Sequence, residues 1–161
     1  MNIHTDGGCI NNGHPDAFGA WAFVCEDGFE SSGFVEKTTN NRTELQAVIE
    51  ALKYAASKRY DCKIFTDSDL TVKCATGVWR RKKNRDLWAI YASLHVVHSI
   101  EWVRGHNGDP GNERADELCR LAMTKSRRCL SKPALRNAQL SLDGMSALQS
   151  VHAYRSSASH R

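Results

Sequence analysis

Residues 3–35 read IHTDGGCINNGHPDAFGAWAFVCEDGFESSGFV, and they contain the pattern most informative about the fold. It holds three strand-length segments, which we place at Ile3–Ile10, Gly19–Glu26 and Phe29–Val35. A polar, glycine-containing loop follows the first segment, and Asp27-Gly28, a pair typical of tight hairpins, separates the second from the third. The stretch therefore predicts three antiparallel strands joined in a meander.

The rest of the body alternates between helical and strand patterns. Apolar residues recur at helical spacing after a predicted cap at Asn40-Asn41, beginning at Leu45. The order β-β-β-α-β-α-α-β-α indicates an α/β fold, with a mixed five-stranded sheet (three antiparallel strands, then parallel ones) flanked by helices. The later predicted elements are a strand at Asp61–Asp67, a short helix capped by Ser68, a helix at Asp86–His95 with Leu87, Ile90, Tyr91 and Leu94 on one face, a strand at His98–Arg104, and a last helix carrying Ala115, Leu118, Cys119 and Ala122.

Composition excludes several classes of protein. The chain has 161 residues, of which 41% are hydrophobic and 25% charged, as in ordinary globular domains. No apolar run approaches the roughly 20 residues that span a bilayer, and the N-terminus lacks the pattern of a secretory signal, so we expect a cytoplasmic protein. The six cysteines form no C-x-x-C pair, which argues against a zinc site and favours reduced, mostly buried thiols.

Charge divides the chain into two parts. Residues 1–124 carry 15 basic and 17 acidic side chains, a net charge of −2, whereas residues 125–161 carry 7 basic and 1 acidic, a net charge of +6. Serine is frequent in the second part and large apolar side chains are sparse. We therefore predict a body at 1–124 and a basic, flexible C-terminal tail at 125–161, with one weak helix around 134–150.

Four carboxylates lie at the edges of predicted core elements. Asp6 is within the first strand, Glu44 in the first turn of its helix, Asp67 at the end of the fourth strand, and Asp116 beside the apolar stripe of the last helix. Each one alone has an ordinary explanation as a turn residue, a cap or a partner of the helix dipole. If they converge, their repulsion requires cations, and hard oxygen ligands suit Mg²⁺ or Mn²⁺.

Five sequence blocks, taken together, resemble type 1 ribonuclease H in their order and spacing. The resemblance covers about residues 1–124. The blocks are Thr5-Asp6-Gly7-Gly8-Cys9, Thr38-Thr39-Asn40-Asn41-Arg42-Thr43-Glu44-Leu45, Thr66-Asp67-Ser68, Trp102-Val103-Arg104-Gly105-His106-Asn107-Gly108 and Gly111-Asn112-Glu113-Arg114-Ala115-Asp116.

The resemblance implies an activity and a set of site residues. It implies hydrolysis of the RNA strand of RNA–DNA hybrids, leaving 5′-phosphate and 3′-hydroxyl ends. It implies two Mg²⁺ ions, with Mn²⁺ as a substitute, held by Asp6, Glu44, Asp67 and Asp116. It also implies that His106 assists proton transfer or product release. Glu113 matches a glutamate of the family that lies near the second metal.

Substrate contacts are implied in the same way. Asn12, Asn40 and Asn41 match positions that touch the hybrid in its minor groove, and Thr39 and Asn40 match positions near a pocket for a DNA phosphate. The long basic protrusion of bacterial members is replaced here by a short basic segment, in which we assign Trp79, Arg80 and Arg81 to substrate binding. Asp69 departs from the family, since many bacterial members have Gln there, and this puts one groove contact in doubt.

Two other functions fit the same residues. One is the ribonuclease H domain of a reverse transcriptase, against which the free Met1 argues weakly. The other is a non-cleaving hybrid-binding module, against which the intact set of carboxylates argues. Related DNA-cutting transposases and integrases lack the Asn40-Asn41 block and the His106 loop. We expect the protein to act as a monomer.

Overall fold

The computed structural model describes residues 1–130, and for residues 127–130 it describes the backbone alone. The predicted order of elements is confirmed, while most predicted boundaries shift by a few residues. The predicted tail lies almost wholly outside the described residues, as does its weak helix. The elements are β1 (Asn2–Ile10), β2 (Phe18–Cys25), β3 (Glu30–Glu36), α1 (Asn40–Lys58), β4 (Cys62–Thr66), α2 (Asp69–Ala75), α3 (Arg85–Ser93), β5 (His98–Trp102) and α4 (Pro110–Leu130).

The five strands form one mixed sheet in the order β3-β2-β1-β4-β5. β1 and β3 both pair with β2 in antiparallel fashion, whereas β1 with β4 and β4 with β5 are parallel pairs. The predicted sheet is therefore confirmed. Its two central strands, β1 and β4, are those that carry Asp6 and lead into Asp67.

The two faces of the sheet are covered by different helices. Along β2, successive side chains point to opposite faces, so Phe23 and Cys25 join the main core with α1, while Ala20 and Ala22 pack with α4. Ile3, Leu45, Ile49, Leu52 and Ile64 are completely buried in the main core. On the other face Ala20, Ala22 and Cys119 are buried, and the α4 residues Leu118, Ala122 and Met123 pack against them.

Helix α1 corrects two predictions. Its N-cap is Thr39, in extended conformation and without a capping side-chain bond, so Asn40 and Asn41 are the first helical residues and not the cap. The Thr39 carbonyl accepts hydrogen bonds from the N–H groups of Arg42 and Thr43. Glu44 is consequently the fifth residue of the helix and not part of its first turn, where no acidic residue occurs. The error has a physical reason, because Thr and Asn share the chemistry that favours a cap.

The shorter helices give a mixed outcome. The Ser68 cap is confirmed, since its Oγ accepts from the Thr71 N–H at 3.4 Å. In α3 the buried side chains are Leu87, Trp88 and Tyr91, whereas Ile90 is 40% exposed, so placing Ile90 on the core face was wrong. Trp88 is buried instead, and its indole packs edge-on against Tyr91.

The prediction of mostly buried thiols is confirmed for the cysteines in the described part of the chain. Cys25, Cys62, Cys74 and Cys119 are buried free thiols, and Cys9 is partly buried. Among residues 1–130, no helix combines the length and the apolar character needed to cross a bilayer.

Candidate active site

The register between β1 and β4 brings Asp6 next to Asp67. Thr5 pairs with Thr66 in this parallel ladder, and each aspartate is the next residue along its chain. In parallel strands, side chains at equivalent positions point to the same face of the sheet. The two carboxylates therefore lie side by side, although they are far apart in sequence.

Gly7 brings the third carboxylate to the same place. A Cβ on Gly7 would overlap the backbone of Thr43 and Glu44, so only glycine lets α1 pack directly against β1 here. This close approach places Glu44 beside Asp6. One carboxylate oxygen from each of Asp6, Glu44 and Asp67 lies within 4.8 Å of the other two.

Burial makes this cluster electrostatically unfavourable by itself. Desolvation raises the pKa of Asp6 to about 6. The neighbouring Cys119 thiol acts against this rise, while repulsion from Asp67 and Asp116 adds to it. The pKa of Glu44 is raised well above its ordinary value by burial and then by repulsion from Asp6 and Asp67. Burial also raises the pKa of Asp67.

The cluster fits a divalent cation. Glu44 is only 7% exposed, and its Oε2 has no hydrogen-bond partner among the described residues. An unpaired buried carboxylate oxygen is costly, and a bound cation would satisfy it and offset the mutual repulsion. Carboxylate oxygens are also the ligands that Mg²⁺ and Mn²⁺ prefer.

Asp116 lies outside the group of three. Its side chain is 24% exposed, and its Oδ2 accepts a hydrogen bond from Arg120 Nε at 3.1 Å, one turn further along α4. It is close enough that its charge raises the pKa of both Asp6 and Asp67. The structure thus places Asp116 at the margin of the site, and its predicted role as a metal ligand stays a prediction.

The loop after β5 carries His106 to the same edge of the sheet. His106 is exposed, and its charge acts to lower the pKa of Asp67 against the rise caused by burial. Gly105 packs against Asp67, since a Cβ there would lie 2.6 Å from Oδ2. Glu113 is also exposed, and its Oε1 accepts a hydrogen bond from the Gly108 N–H at 3.0 Å.

Two neighbours of the cluster were not predicted from the sequence. Trp102 Nε1 donates to the backbone carbonyl of Asp67 at 3.0 Å, which fixes the residue directly after β4. The buried Cys119 thiol lies beside Asp6 and donates to the Ala20 carbonyl at 3.3 Å. The available signal for Trp102 was its place at the end of a predicted strand, in the same block as His106. No sequence signal distinguished Cys119 from an ordinary core residue.

The predicted minor-groove residues adjoin the cluster. The Asn12 side chain accepts from the Asn40 N–H at 3.2 Å, and the Asn40 amide donates to Glu44 Oε1 at 3.5 Å. Asn41 is exposed and Thr39 partly exposed. Asn12, Asn40 and Glu44 thus form one connected polar surface, next to which Thr39 and Asn41 remain open to solvent.

The short basic segment contains both exposed side chains and one that is hydrogen-bonded within the fold. Trp79 is 46% exposed, with the Lys73 ammonium 4.6 Å above its ring, and Arg80 is exposed. Arg81 differs, because its guanidinium donates to the Cys74 and Ala75 carbonyls at the end of α2 and stacks over Trp88. These contacts give Arg81 a structural role, and its contact with substrate stays a prediction.

The mixed sheet, with carboxylates gathered on its two central strands and the helix packed on them, defines the ribonuclease H-like class of α/β proteins. The chain belongs to the ribonuclease H family, because the family model described as RNase H matches residues 1–124. Ribonuclease H of Campylobacter jejuni (strain RM1221) is 40% identical over 142 residues, which cover 80% of this chain and 94% of the relative. Ribonuclease H of Nitrosococcus oceani is 41% identical over 143 residues, covering 77% and 94%.

A solved structure shares the fold. The crystal structure of LC11-RNase H1 in complex with RNA/DNA hybrid superimposes with a TM-score of 0.63 at 27% sequence identity. The match covers 78% of this chain and 97% of that one. The predicted fold and the resemblance to ribonuclease H are both confirmed.

Proposed function

We propose that this protein is an endoribonuclease that hydrolyses the RNA strand of RNA–DNA hybrids with the help of divalent metal ions. The observation that carries the proposal is the buried convergence of Asp6, Glu44 and Asp67 in a chain of the ribonuclease H family. A module that only bound hybrids would gain nothing from three carboxylates held together without compensating charge. The products would carry 5′-phosphate and 3′-hydroxyl ends.

The carboxylates are proposed to hold the metal at the centre of the site. Asp6, Glu44 and Asp67 offer converging oxygens, and Asp116 is a further proposed ligand at the margin. When bound, two Mg²⁺ ions, or Mn²⁺ in their place, supply positive charge that favours attack by water on the phosphate and departure of the 3′ oxygen. The rigid backbone contact at Gly7 and the Trp102 bond to Asp67 keep the ligand positions fixed before substrate arrives.

His106 is proposed to move a proton or to assist release of the product. Its imidazole is exposed, and the preceding residue, Gly105, packs against Asp67 at the edge where the scissile phosphate would lie. Histidine is suited to this task because its ordinary pKa is close to neutral pH. The loop position lets it reach a phosphate oxygen without displacing the carboxylates.

Recognition of the hybrid is proposed to use the polar surface beside Glu44. Side-chain amides of Asn12, Asn40 and Asn41 can both donate to and accept from ribose 2′-hydroxyls, which distinguish RNA from DNA. Thr39 is proposed to face a phosphate of the DNA strand, and Trp79 and Arg80 to contact the backbone. The structural neighbour LC11-RNase H1 is described in complex with an RNA/DNA hybrid, which supports this substrate class. That the protein acts as a monomer stays a prediction.

A labelled-strand assay tests the proposal. Hybrid, duplex RNA, duplex DNA and single strands are each incubated with Mg²⁺, Mn²⁺ or chelator. Cleavage of the RNA strand of the hybrid, dependent on metal, is expected. Asp67→Asn should lower the rate by several orders of magnitude, whereas Asp61→Asn, an exposed aspartate directly before the same strand, should leave it unchanged. Cleavage that survives in chelator, or near-normal activity of folded Asp67→Asn, would overturn the proposal.

A further inference from the structure

The turn that leads into α4 is held by three hydrogen bonds. The Asn112 N–H donates to Asp109 Oδ1 at 2.9 Å, and the Glu113 N–H donates to the Asp109 carbonyl at 2.9 Å. The third bond runs in the other direction, from the Gly108 N–H to Glu113 Oε1 at 3.0 Å. We call this third bond the Glu113 latch.

The first two bonds are ordinary helix capping, but the latch is not. Because α4 begins at Pro110, Asp109 is the capping residue and its carboxylate satisfies an N–H of the first turn. In the usual capping box, an acidic side chain in the first turn reaches back to the N–H of the cap itself. Here the Glu113 side chain passes the cap and binds the N–H of Gly108, which lies outside the helix. The latch therefore fixes the loop and adds little to the helix.

The loop needs such a constraint. His106 has a φ of 53° and Gly108 a φ of 78°, so two nearby residues adopt the left-handed conformation. For a residue other than glycine this conformation costs roughly 1–2 kcal/mol, and it persists only where surrounding contacts hold it. On one side of His106, Gly105 packs against Asp67. On the other side, the latch holds Gly108 to α4.

We propose that Glu113 is a positioning residue, which acts through the Gly108 N–H to keep His106 near Asp67. The inference rests on the proposed function, since it assumes that His106 takes part in the reaction. Glu113 is not one of the three carboxylates whose oxygens converge, and one of its own oxygens is bonded to the loop. We therefore assign its contribution to the bond with the loop, and the Mg²⁺ dependence of the variants tests this against metal binding.

Glu113→Ala, Glu113→Gln and Glu117→Ala test the proposal in the full chain. Glutamine keeps an oxygen that can accept the Gly108 bond, whereas alanine does not. Glu117 is an exposed acid one turn along the same helix, paired with Arg114, so its removal controls for the loss of charge. Glu113→Ala should lower kcat toward that of His106→Ala, a decrease of up to roughly 100-fold, with KM nearly unchanged. The kcat of Glu113→Gln should stay within about threefold of the wild-type value, which corresponds to a small change in activation free energy. Glu117→Ala should retain full activity.

Two further readouts separate positioning from metal binding. Hydrogen exchange of the Gly108 amide should be faster in Glu113→Ala and unchanged in the other two variants. The Mg²⁺ concentration for half-maximal rate should stay the same in all of them. Adding Glu113→Ala to His106→Ala should lower kcat little further than His106→Ala alone, because both substitutions remove the contribution of His106.

Specific results would overturn the proposal. If Glu113→Gln is as inactive as Glu113→Ala, and both variants need more Mg²⁺ for half-maximal rate, Glu113 acts on the metal. If exchange of the Gly108 amide is unchanged in Glu113→Ala, the latch does not hold the loop. If the wild-type protein does not cleave hybrids at all, the proposed function fails instead, and the Gly108 exchange still decides whether the latch exists.

Discussion

Arg81 is expected to stabilise the fold, although its sequence context of consecutive basic residues favours a phosphate contact. Its Nε donates to the Cys74 carbonyl at 3.0 Å and its Nη2 to the Ala75 carbonyl at 3.2 Å. The guanidinium also lies 4.5 Å from the centre of the Trp88 ring and 5.4 Å from that of Tyr91. Its donors satisfy carbonyls at the end of α2, which would otherwise need water. The side chain thereby ties α2 to α3.

The size of the effect follows from these contacts. A hydrogen bond from a charged donor contributes about 1.5 kcal/mol at the lower end of its range, which suits a partly exposed side chain. Stacking on an aromatic ring adds roughly 0.5–1 kcal/mol. Allowing for solvent competition, Arg81→Ala should lower the free energy of unfolding by about 2–4 kcal/mol. At ~3 °C per kcal/mol for a chain of this size, the melting temperature should fall by about 6–12 °C.

Arg80→Ala and Arg81→Lys are the matched variants. Arg80 is exposed, so its removal should change the free energy of unfolding by less than about 0.5 kcal/mol. Lysine keeps the charge at position 81 but lacks the planar fork that bonds two carbonyls and stacks on an indole, so Arg81→Lys should remain destabilised. Thermal unfolding followed by circular dichroism at 222 nm measures these changes.

Binding to a hybrid across a salt series, in Ca²⁺ to suppress cleavage, completes the test. If Arg80 neutralises a phosphate, Arg80→Ala should flatten the log–log salt dependence by a little under one unit, while both Arg81 variants should keep the wild-type slope. The reasoning would be refuted if Arg81→Ala melted within about 2 °C of wild type and showed the flatter slope. Arg81 would then be a phosphate ligand and its contacts with α2 and α3 incidental.

Three further predictions concern the site itself. His106→Ala should lower turnover roughly 100-fold with little change in hybrid binding, and a variant that lost binding but kept its single-turnover rate would contradict this. Trp102→Phe removes the donor to the Asp67 carbonyl, so kcat should fall severalfold at unchanged Mg²⁺ requirement; full activity would show that the bond is dispensable. The third prediction concerns Asp6 in the presence of chelator, where its pKa is about 6 in the folded state against an ordinary 3.8. The protonated carboxyl therefore contributes stability that is fully present below about pH 4 and is lost as the pH rises through 6. Asp6→Asn should therefore gain stability relative to wild type between pH 4 and pH 7 in urea unfolding, and a constant difference would exclude that pKa.

The order of the elements could be predicted because the responsible patterns are local. Strand-length segments bounded by turn signals such as Asp27-Gly28, and helical spacing from Leu45 onward, are properties of neighbouring residues. The predictions that were wrong depend on contacts between residues distant in sequence. Choosing Trp88 over Ile90 for the core face of α3 required the knowledge that Trp88 packs against both Tyr91 and the Arg81 guanidinium. In the same way, a run of basic residues does not reveal which of its donors are already bonded within the fold.

The carboxylate cluster shows where a sequence alone stops being sufficient. Asp6 and Asp67 are neighbours only because Thr5 pairs with Thr66, and a shift of this register by one residue would turn Asp67 to the opposite face of the sheet. The helix that carries Glu44 is placed by Gly7, whose missing side chain lets the two backbones touch. Any larger residue at Gly7 would separate α1 from β1, and it would withdraw Glu44 from Asp6 at the same time. The packing of the fold and the convergence of the site are therefore one constraint, set by a strand register and a single glycine.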